Sequence, residues 1–161
     1  MSIMVIDKVQ LTQEGLEDLK AELLQLKEEK LPQIISRVSS ARDQGDLSEN
    51  ADYHSAKEEQ SFVETRISEI EDILANSTVV KKSTNNQNQV GIGSKVEVNI
   101  SGKANKTFTF EIVGEFEADP EEGKISSVSP LGKVLIGKKK GEEATVITPA
   151  GEVIYTIKNI K

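Results

Sequence analysis

Two long runs of helix-periodic apolar residues, joined by a short polar turn, constrain the fold of this chain most strongly. In the first run apolar side chains recur mostly every three or four residues, as a helix that buries one stripe requires. They are Leu16, Leu19, Leu23, Leu26, Leu31, Ile34 or Ile35, Val38 and Ala41, and the second run has Ala56, Val63, Ile67, Ile70 and Leu74. Two such helices can bury their stripes against each other, so the pattern predicts an antiparallel coiled-coil hairpin with helices at about 12–44 and 48–76.

The first helix carries its own start signal and one internal irregularity. Thr12 is a good N-cap, and Glu14 places a carboxylate in the first turn, where it favours the helix dipole. Pro32 lies in the middle of the same run. Because proline lacks a backbone donor and clashes with the preceding turn, we expect a kink or a local irregularity there.

The second half of the chain has a different period. Residues 77–94 are polar and read as a linker, and after them come alternating segments rich in Val, Ile, Thr and Phe, which is the pattern of half-buried strands. The segment "TPAGEV" predicts a hairpin turn, and "SPLGKVLIG" predicts a short helix. The sequence therefore predicts an α+β protein: a helical finger at 1–78, a linker at 79–90 and a small β-rich domain at 91–161.

Composition excludes several classes of protein. The 161 residues include no cysteine, so neither a disulfide framework nor a thiolate metal site is possible. No apolar run approaches the roughly 18 residues of a membrane span, and we identify no signal peptide, so we expect a cytoplasmic protein. Residues 1–78 carry 17 Asp and Glu against 8 Lys and Arg, whereas 79–161 carry 10 against 12. Such an acidic first half argues against simple binding along a nucleic-acid backbone.

Carboxylates crowd the predicted turn, in "ARDQGDLSENADYH", at Asp43, Asp46, Glu49 and Asp52. Asp46 followed three residues later by Glu49 matches a capping box at the start of the second helix. The same two side chains could instead donate oxygens to a hard divalent cation. Two carboxylates alone make a poor Mg²⁺ site, so a partner would have to share the ion.

Three segments together resemble one known family. "GDLSENADYHSAKEEQ", with "LTQEGLEDLKAEL" before it and "EADPEEGKISSVSPLGKVLIGKKKGEEATV" after it, closely resembles the bacterial transcript cleavage factors of the Gre family, of the GreA type. The resemblance implies a coiled-coil finger followed by a domain similar to the FK506-binding fold, which docks on bacterial RNA polymerase as a monomer. It also implies that the finger enters the secondary channel and stimulates the polymerase's own cleavage of the 3′ end of backtracked RNA. On this view the chain is not itself an enzyme.

The resemblance assigns roles to the residues of the turn. Asp46 and Glu49 match the family's tip acids, which would hold a Mg²⁺ ion shared with the polymerase and orient the attacking water; the free protein would bind no ion tightly. Arg37 and Arg42 are candidates for contact with RNA or with the polymerase channel, and Tyr53 would lie near the RNA 3′ end. Asp43 and Asp52 do not inherit the ligand role.

The second domain holds the candidate docking residues. In "SVSPLG", Ser129 and Pro130 match the family's polymerase-docking loop, whereas Val128 stands where some relatives have a polar or acidic residue.

Three alternatives differ in what the chain would do. A channel-blocking inhibitor built like the Gre factors would carry a denser acidic tip. In a passive coiled-coil adaptor the tip acids would only cap a helix. A prolyl isomerase needs an aromatic-lined pocket, for which the four aromatic residues of this half are poorly placed.

Overall fold

The computed structural model describes residues 8–46, 49–81, 88–103 and 106–161. Their contacts divide the chain into two compact units. One is Leu16–Asn76, and the other joins the described residues up to Gly15 with Ser77–Lys161. We refer to them as the helical unit and the β unit.

The helical unit is the predicted hairpin. Helix α1 runs from Gln13 to Gln25, α2 from Leu31 to Arg42 and α3 from Ala51 to Ala75. The predicted stripe is confirmed where α2 meets α3, with Leu23, Leu26 and Leu31 packed beside the buried residues; those are Ile34, Val38, Ala56, Val63 and Ile67. Ile73 takes the buried place that we predicted for Leu74, which is half-buried.

The helix caps and the irregularity at Pro32 also follow the sequence. The Thr12 hydroxyl accepts a hydrogen bond from the backbone N–H of Gly15 at 3.0 Å, which confirms Thr12 as a capping residue. A π-helical turn, Leu26–Lys30, separates α1 from α2, and the N–H of Leu31 donates to the carbonyl of Leu26, five residues back. Pro32 follows at once, so the wider turn coincides with the place where a regular helix would clash with the proline ring.

The β unit contains a five-stranded sheet in the order β5-β4-β3-β7-β6. The strands are β3 (Lys95–Ile100), β4 (Thr107–Val113), β5 (Lys124–Ser126), β6 (Glu143–Thr148) and β7 (Gly151–Ile160). Neighbours are antiparallel except β4 and β5, which are parallel. The sheet packs its apolar face with a short helix α4, Pro130–Leu135, around a core that includes Val96, Val98, Ile112, Leu135 and Ile157.

A two-stranded parallel sheet ties the start of the described chain to the segment after the hairpin. Strand β1, Val9–Leu11, pairs with β2, Ser77–Val79. The Glu117 carboxylate accepts hydrogen bonds from the backbone N–H groups of Thr12, at 2.9 Å, and Gly114, at 3.2 Å, and from the Thr12 hydroxyl.

These contacts divide the chain differently from the sequence-based boundaries, which placed residues 1–78 in the finger and 79–90 in a linker. Val79 ends β2 and Val90 is buried in the core of the β unit, so both ends of the expected linker are packed. Its middle, 82–87, lies outside the described residues. In the described part of the chain, no helix is both long enough and apolar enough to cross a membrane.

Candidate functional site

The acidic turn lies between the end of α2 at Arg42 and the start of α3 at Ala51; we call residues 43–50 the hairpin turn. Leu47 and Ser48 fall outside the described residues. Asp43, Asp46 and Glu49 are all exposed. Gly45 has a φ of 120°, a backbone conformation that side chains with a Cβ strongly disfavour. The turn therefore presents carboxylates to solvent on a backbone whose shape requires glycine.

Asn50, not Asp46, caps the second helix. The Asn50 side-chain oxygen accepts a hydrogen bond from the backbone N–H of Tyr53 at 3.0 Å, and Asn50 itself has extended backbone angles. The capping-box interpretation of Asp46 and Glu49 is therefore wrong for α3, because Glu49 precedes the cap and cannot lie in the first helical turn. Our predicted helix start near 48 was early for the same reason.

The Asn50 amide also reaches back to the first arm of the hairpin. Its Nδ2 donates to the carbonyl of Ala41 at 2.7 Å. Ala41 is completely buried and lies in the last turn of α2, and its carbonyl also accepts from the backbone N–H of Gln44 at 3.3 Å. One side chain thus satisfies a donor at the start of α3 and an acceptor at the end of α2.

Arg37 joins α2 to the first half of α3. Its Nη2 lies 2.6 Å from Asp52 Oδ1, and its Nη1 lies 3.0 Å from Glu59 Oε2. The hydrogen bond to Asp52 is the main cause that raises the pKa of Arg37 above its ordinary value. Lys30 Nζ also lies 3.0 Å from Glu59. In this conformation two carboxylates already balance the charge that we expected to face RNA or the polymerase channel.

Tyr53 and Arg42 meet beside the hairpin turn. Tyr53 is half-buried and packs against the hairpin core, so it supports the fold whatever else it contacts. The Arg42 guanidinium carbon lies 6.0 Å from the centre of the Tyr53 ring, within the range of a cation–π contact. Arg42 itself is exposed.

The described residues include no group of three or more His, Asp or Glu side chains that could hold a metal ion. Asp46 and Glu49 can contribute two exposed carboxylates. Carboxylate oxygens suit Mg²⁺, which usually takes one or two protein carboxylates and completes its shell with water and with oxygens from other groups. This donor set therefore fits Mg²⁺ only where a partner supplies further ligands.

The predicted docking residues lie in the loop before α4; we call residues 126–130 the α4 loop. Ser129 caps α4, since its hydroxyl accepts from the N–H of Gly132 at 3.0 Å and donates to the carbonyl of Ser126 at 2.7 Å. Pro130, at the first helical position, is exposed, and Val128 is 50% exposed. Next to the loop is a groove of about 320 Å³, lined by Lys8, Val9, Gln10, Glu115, Ser127 and Val128.

Gly132 fixes the path of this loop. A Cβ at position 132 would lie 2.0 Å from the Ser126 carbonyl oxygen, so only glycine allows the first turn of α4 to approach the loop this closely. The α4 loop therefore holds Val128 and Pro130 at the surface on a tightly packed backbone.

Sequence reasoning missed the contacts of two residues at the start of α3. Asn50 was available as a cap residue directly before Ala51, but the Asp46–Glu49 spacing matched a better-known pattern. Asp52 was given no role beyond not being a ligand, and it pairs with Arg37 across the hairpin.

Two family models of transcription elongation factors together match most of the chain. Residues 9–79 match the family model described as "Transcription elongation factor, N-terminal", and residues 84–161 match "Transcription elongation factor, GreA/GreB, C-term". The chain therefore belongs to the GreA/GreB family of transcription elongation factors, as its resemblance to the Gre family predicted.

Curated relatives agree with this assignment over nearly the whole chain. A protein of Acidiphilium cryptum named transcription elongation factor GreA is 47% identical over 94% of this chain and 96% of its own length. The GreA of Thermodesulfovibrio yellowstonii is 47% identical over 96% of this chain and 97% of its own length. A solved structure of GreA factor homolog 1 from Thermus thermophilus is 28% identical over 96% of this chain and 99% of that chain, with a TM-score of 0.43.

Proposed function

We propose that this chain binds bacterial RNA polymerase, inserts its hairpin turn in the secondary channel and stimulates the polymerase's own cleavage of the 3′ end of backtracked RNA. One observation carries the proposal beyond family membership. The exposed carboxylates of Asp46 and Glu49 remain at the hairpin turn although Asn50 performs the capping that could have explained them. These two exposed acids do not form the cap of α3, and we assign them a role as ligands.

Asp46 and Glu49 act by adding carboxylate oxygens to a site that the polymerase completes. A Mg²⁺ ion bound there would supply the charge that activates water for hydrolysis of a phosphodiester. The hairpin carries these carboxylates in the short turn between two packed helices, so the helix ends on either side limit where the turn can lie. The free protein, with two carboxylates, holds no such ion tightly.

The side chains beside the turn have different roles in the proposed contact with RNA. Arg42 is exposed and supplies positive charge beside the turn, where RNA would pass. Arg37 contributes to the RNA or channel contact less directly, because Asp52 and Glu59 hold its guanidinium. Tyr53 holds the Arg42 side chain near the turn and lies near the RNA end.

The α4 loop provides the polymerase contact that keeps the hairpin in place. Val128 and Pro130 form an exposed apolar surface, and Ser129 holds that surface on the start of α4. A small apolar contact of this kind suits a reversible association rather than a permanent complex. The protein acts as a monomer in the cytoplasm, where it meets the polymerase.

A cleavage assay on a backtracked elongation complex tests the proposal. With radiolabelled RNA stalled by nucleotide omission, adding the chain should shorten the RNA from its 3′ end much faster than Mg²⁺ alone does. The chain without polymerase should leave the same RNA intact. Slower cleavage than with polymerase alone would instead identify a channel-blocking inhibitor, and an unchanged rate with detectable binding would identify a passive adaptor.

A further inference from the structure

We propose that Asn50 is a positioning residue for the carboxylates of the hairpin turn, acting through its bond to the Ala41 carbonyl as well as through its cap. The proposal rests on the proposed function, because it assigns to Asn50 the placement of Glu49 and Asp46 in the cleavage site. In this proposal Asn50 itself contacts neither the metal ion nor the RNA.

Asn50 is hydrogen-bonded to both of the helix ends that border the turn. Its Oδ1 accepts from Tyr53 on α3 and its Nδ2 donates to Ala41 on α2, a residue nine positions earlier. The Ala41 carbonyl also accepts from the Gln44 N–H at 3.3 Å, but only the shorter bond from Asn50 connects it to α3. The amide therefore fixes the two ends of the hairpin turn relative to each other.

Both hydrogen-bond partners of Asn50 lie in packed parts of the hairpin. Ala41 is fully buried, as is Ala56 on the facing helix, and Tyr53 packs against the core of the hairpin. Closely packed side chains leave little room for these anchor points to move. Glu49 is the residue next to Asn50, one peptide unit away, so its backbone is held by an anchor about 3.8 Å distant.

At position 50, only an amide side chain can both accept from the Tyr53 N–H and donate to the Ala41 carbonyl. Serine and aspartate cap helices about as well as asparagine, because capping needs only an acceptor. The ionised aspartate has no donor, and the serine hydroxyl is too short to span both partners. Loss of the donor alone should therefore loosen the turn without removing the cap.

The experiment compares Asn50→Ser and Asn50→Asp with the parent in the backtracked-complex assay, at saturating factor. We expect both variants to lower the maximal cleavage rate by roughly tenfold or more, since a misplacement of about 1 Å near reacting groups can cost about a hundredfold. The factor concentration that gives half the maximal rate should stay unchanged, and the Mg²⁺ concentration for half-maximal cleavage should rise. Helical circular dichroism should remain that of the parent.

Asn76→Ser is the matched control. Asn76 stands at the other end of α3, where its Nδ2 donates to the Asp72 carbonyl at 2.9 Å, so the change removes a similar amide–carbonyl bond far along the helix from the turn. We expect it to cleave like the parent. Equal losses in Asn76→Ser and Asn50→Ser would show a general loss of helix stability and would overturn the proposal.

Two other outcomes would also overturn it. Parent-like cleavage by Asn50→Ser would show that capping alone suffices, and loss in Asn50→Asp alone would show an effect of added charge. If Asn50→Ser loses helical signal, Asn50→Asp, which keeps the size and the acceptor, decides by its Mg²⁺ dependence. Asp46→Asn is assayed in parallel: if it is inactive while Asn50→Ser is normal, only the positioning role fails, whereas a normal Asp46→Asn contradicts the proposed function itself.

Discussion

The hairpin turn and the α4 loop each lead into a helix through the same kind of cap. The side chains that they expose differ, being acidic in the hairpin turn and apolar in the α4 loop. In each, one capping residue accepts from a backbone N–H three residues ahead at 3.0 Å and donates to an earlier carbonyl at 2.7 Å. The capping residue is Asn50 in the hairpin turn and Ser129 in the α4 loop. Asn50 stands next to the exposed carboxylate of Glu49, whereas Ser129 stands between the exposed Val128 and Pro130.

We infer from this difference that the caps position the backbone and that the neighbouring exposed side chains determine what each segment binds. The Asn50 donor spans nine residues and closes a turn between two helices, while the Ser129 donor spans only three. The long span holds together the two ends of a turn that exposes acids, and the short span holds a loop that exposes apolar side chains. We therefore expect changes in the hairpin turn to affect the rate of cleavage and changes in the α4 loop to affect binding.

The largest effect is expected from removing the charge of the tip acids. Asp46→Asn and Glu49→Gln keep size and polarity but lose an anionic oxygen that Mg²⁺ would require. Each should reduce the maximal cleavage rate by about 10²–10³, the range seen when one electrostatic group of an active site is removed. The measurement is single-turnover cleavage at saturating factor, together with a pull-down on core polymerase.

Two controls sharpen this test. Raising Mg²⁺ should restore part of the lost rate if weaker retention of the ion is the defect. Asp43→Asn, which removes an acid of the same turn that we do not assign as a ligand, should cost far less. Variants at positions 46 and 49 that cleave as fast as the parent would show that the acidic turn is not a ligand set.

The next effect is expected at the α4 loop and should be on binding. Val128→Ser with Pro130→Ala removes exposed apolar surface and leaves Ser129 in place. Half-burying a valine side chain in an interface contributes about 1 kcal/mol, so the two changes should weaken polymerase binding by roughly tenfold. A titration of cleavage against factor concentration measures this, with the maximal rate expected to remain that of the parent. A lowered maximal rate at an unchanged half-saturating concentration would contradict the assignment of binding to the α4 loop and of cleavage to the hairpin turn.

Much of the fold could be predicted because it depends on residues near each other in sequence. The apolar stripe along α2 and α3, the irregular turn before Pro32 and the turn between β6 and β7 are local patterns, and the structure confirms them. The short helix in "SPLGKVLIG" was predicted by the same kind of evidence and is α4.

The errors lie where a contact joins distant residues. Two cap positions fit the local sequence at the start of α3, and Asn50, whose amide also bonds to Ala41 nine residues earlier, is the one that the structure uses. The pairing of Arg37 with Asp52 depends on the register of the two helices, and the pairing of β1 with β2 spans the whole hairpin. Val79 in an otherwise polar segment was a signal for that second strand. The roles of the tip acids and of the docking residues were assigned from family resemblance and stay predictions, because no local pattern distinguishes a ligand from a cap.

A smaller effect should separate the two arginines of the hairpin. Arg42→Gln removes a charge that stacks on Tyr53, and we expect it to lower cleavage about fivefold, since a cation–π contact and one phosphate contact contribute on the order of 1 kcal/mol. Arg37→Gln should lower it less, because Asp52 and Glu59 already balance that charge. Cleavage rates at low and high salt are the measurement, and the Arg42 effect should shrink as salt rises. A larger loss for Arg37→Gln than for Arg42→Gln would mean that its ion pairs open in the complex.

The smallest effect should be the loss of the Ser129 cap, which completes the comparison with Asn50. Ser129→Ala removes both the acceptor for Gly132 and the donor to Ser126, and we expect it to destabilise the protein by about 1 kcal/mol, the usual cost of an N-cap. Denaturant unfolding gives the free energy, and faster hydrogen exchange at the Gly132 amide locates the loss. Ser129→Thr keeps a hydroxyl that both accepts and donates, so it should restore most of the stability. If it also restores polymerase binding, Ser129 acts by shaping the loop, as Asn50 does in the hairpin turn. Normal stability with weak binding in Ser129→Thr would mean that the polymerase contacts the serine directly, and the likeness between the two caps would then end at their geometry.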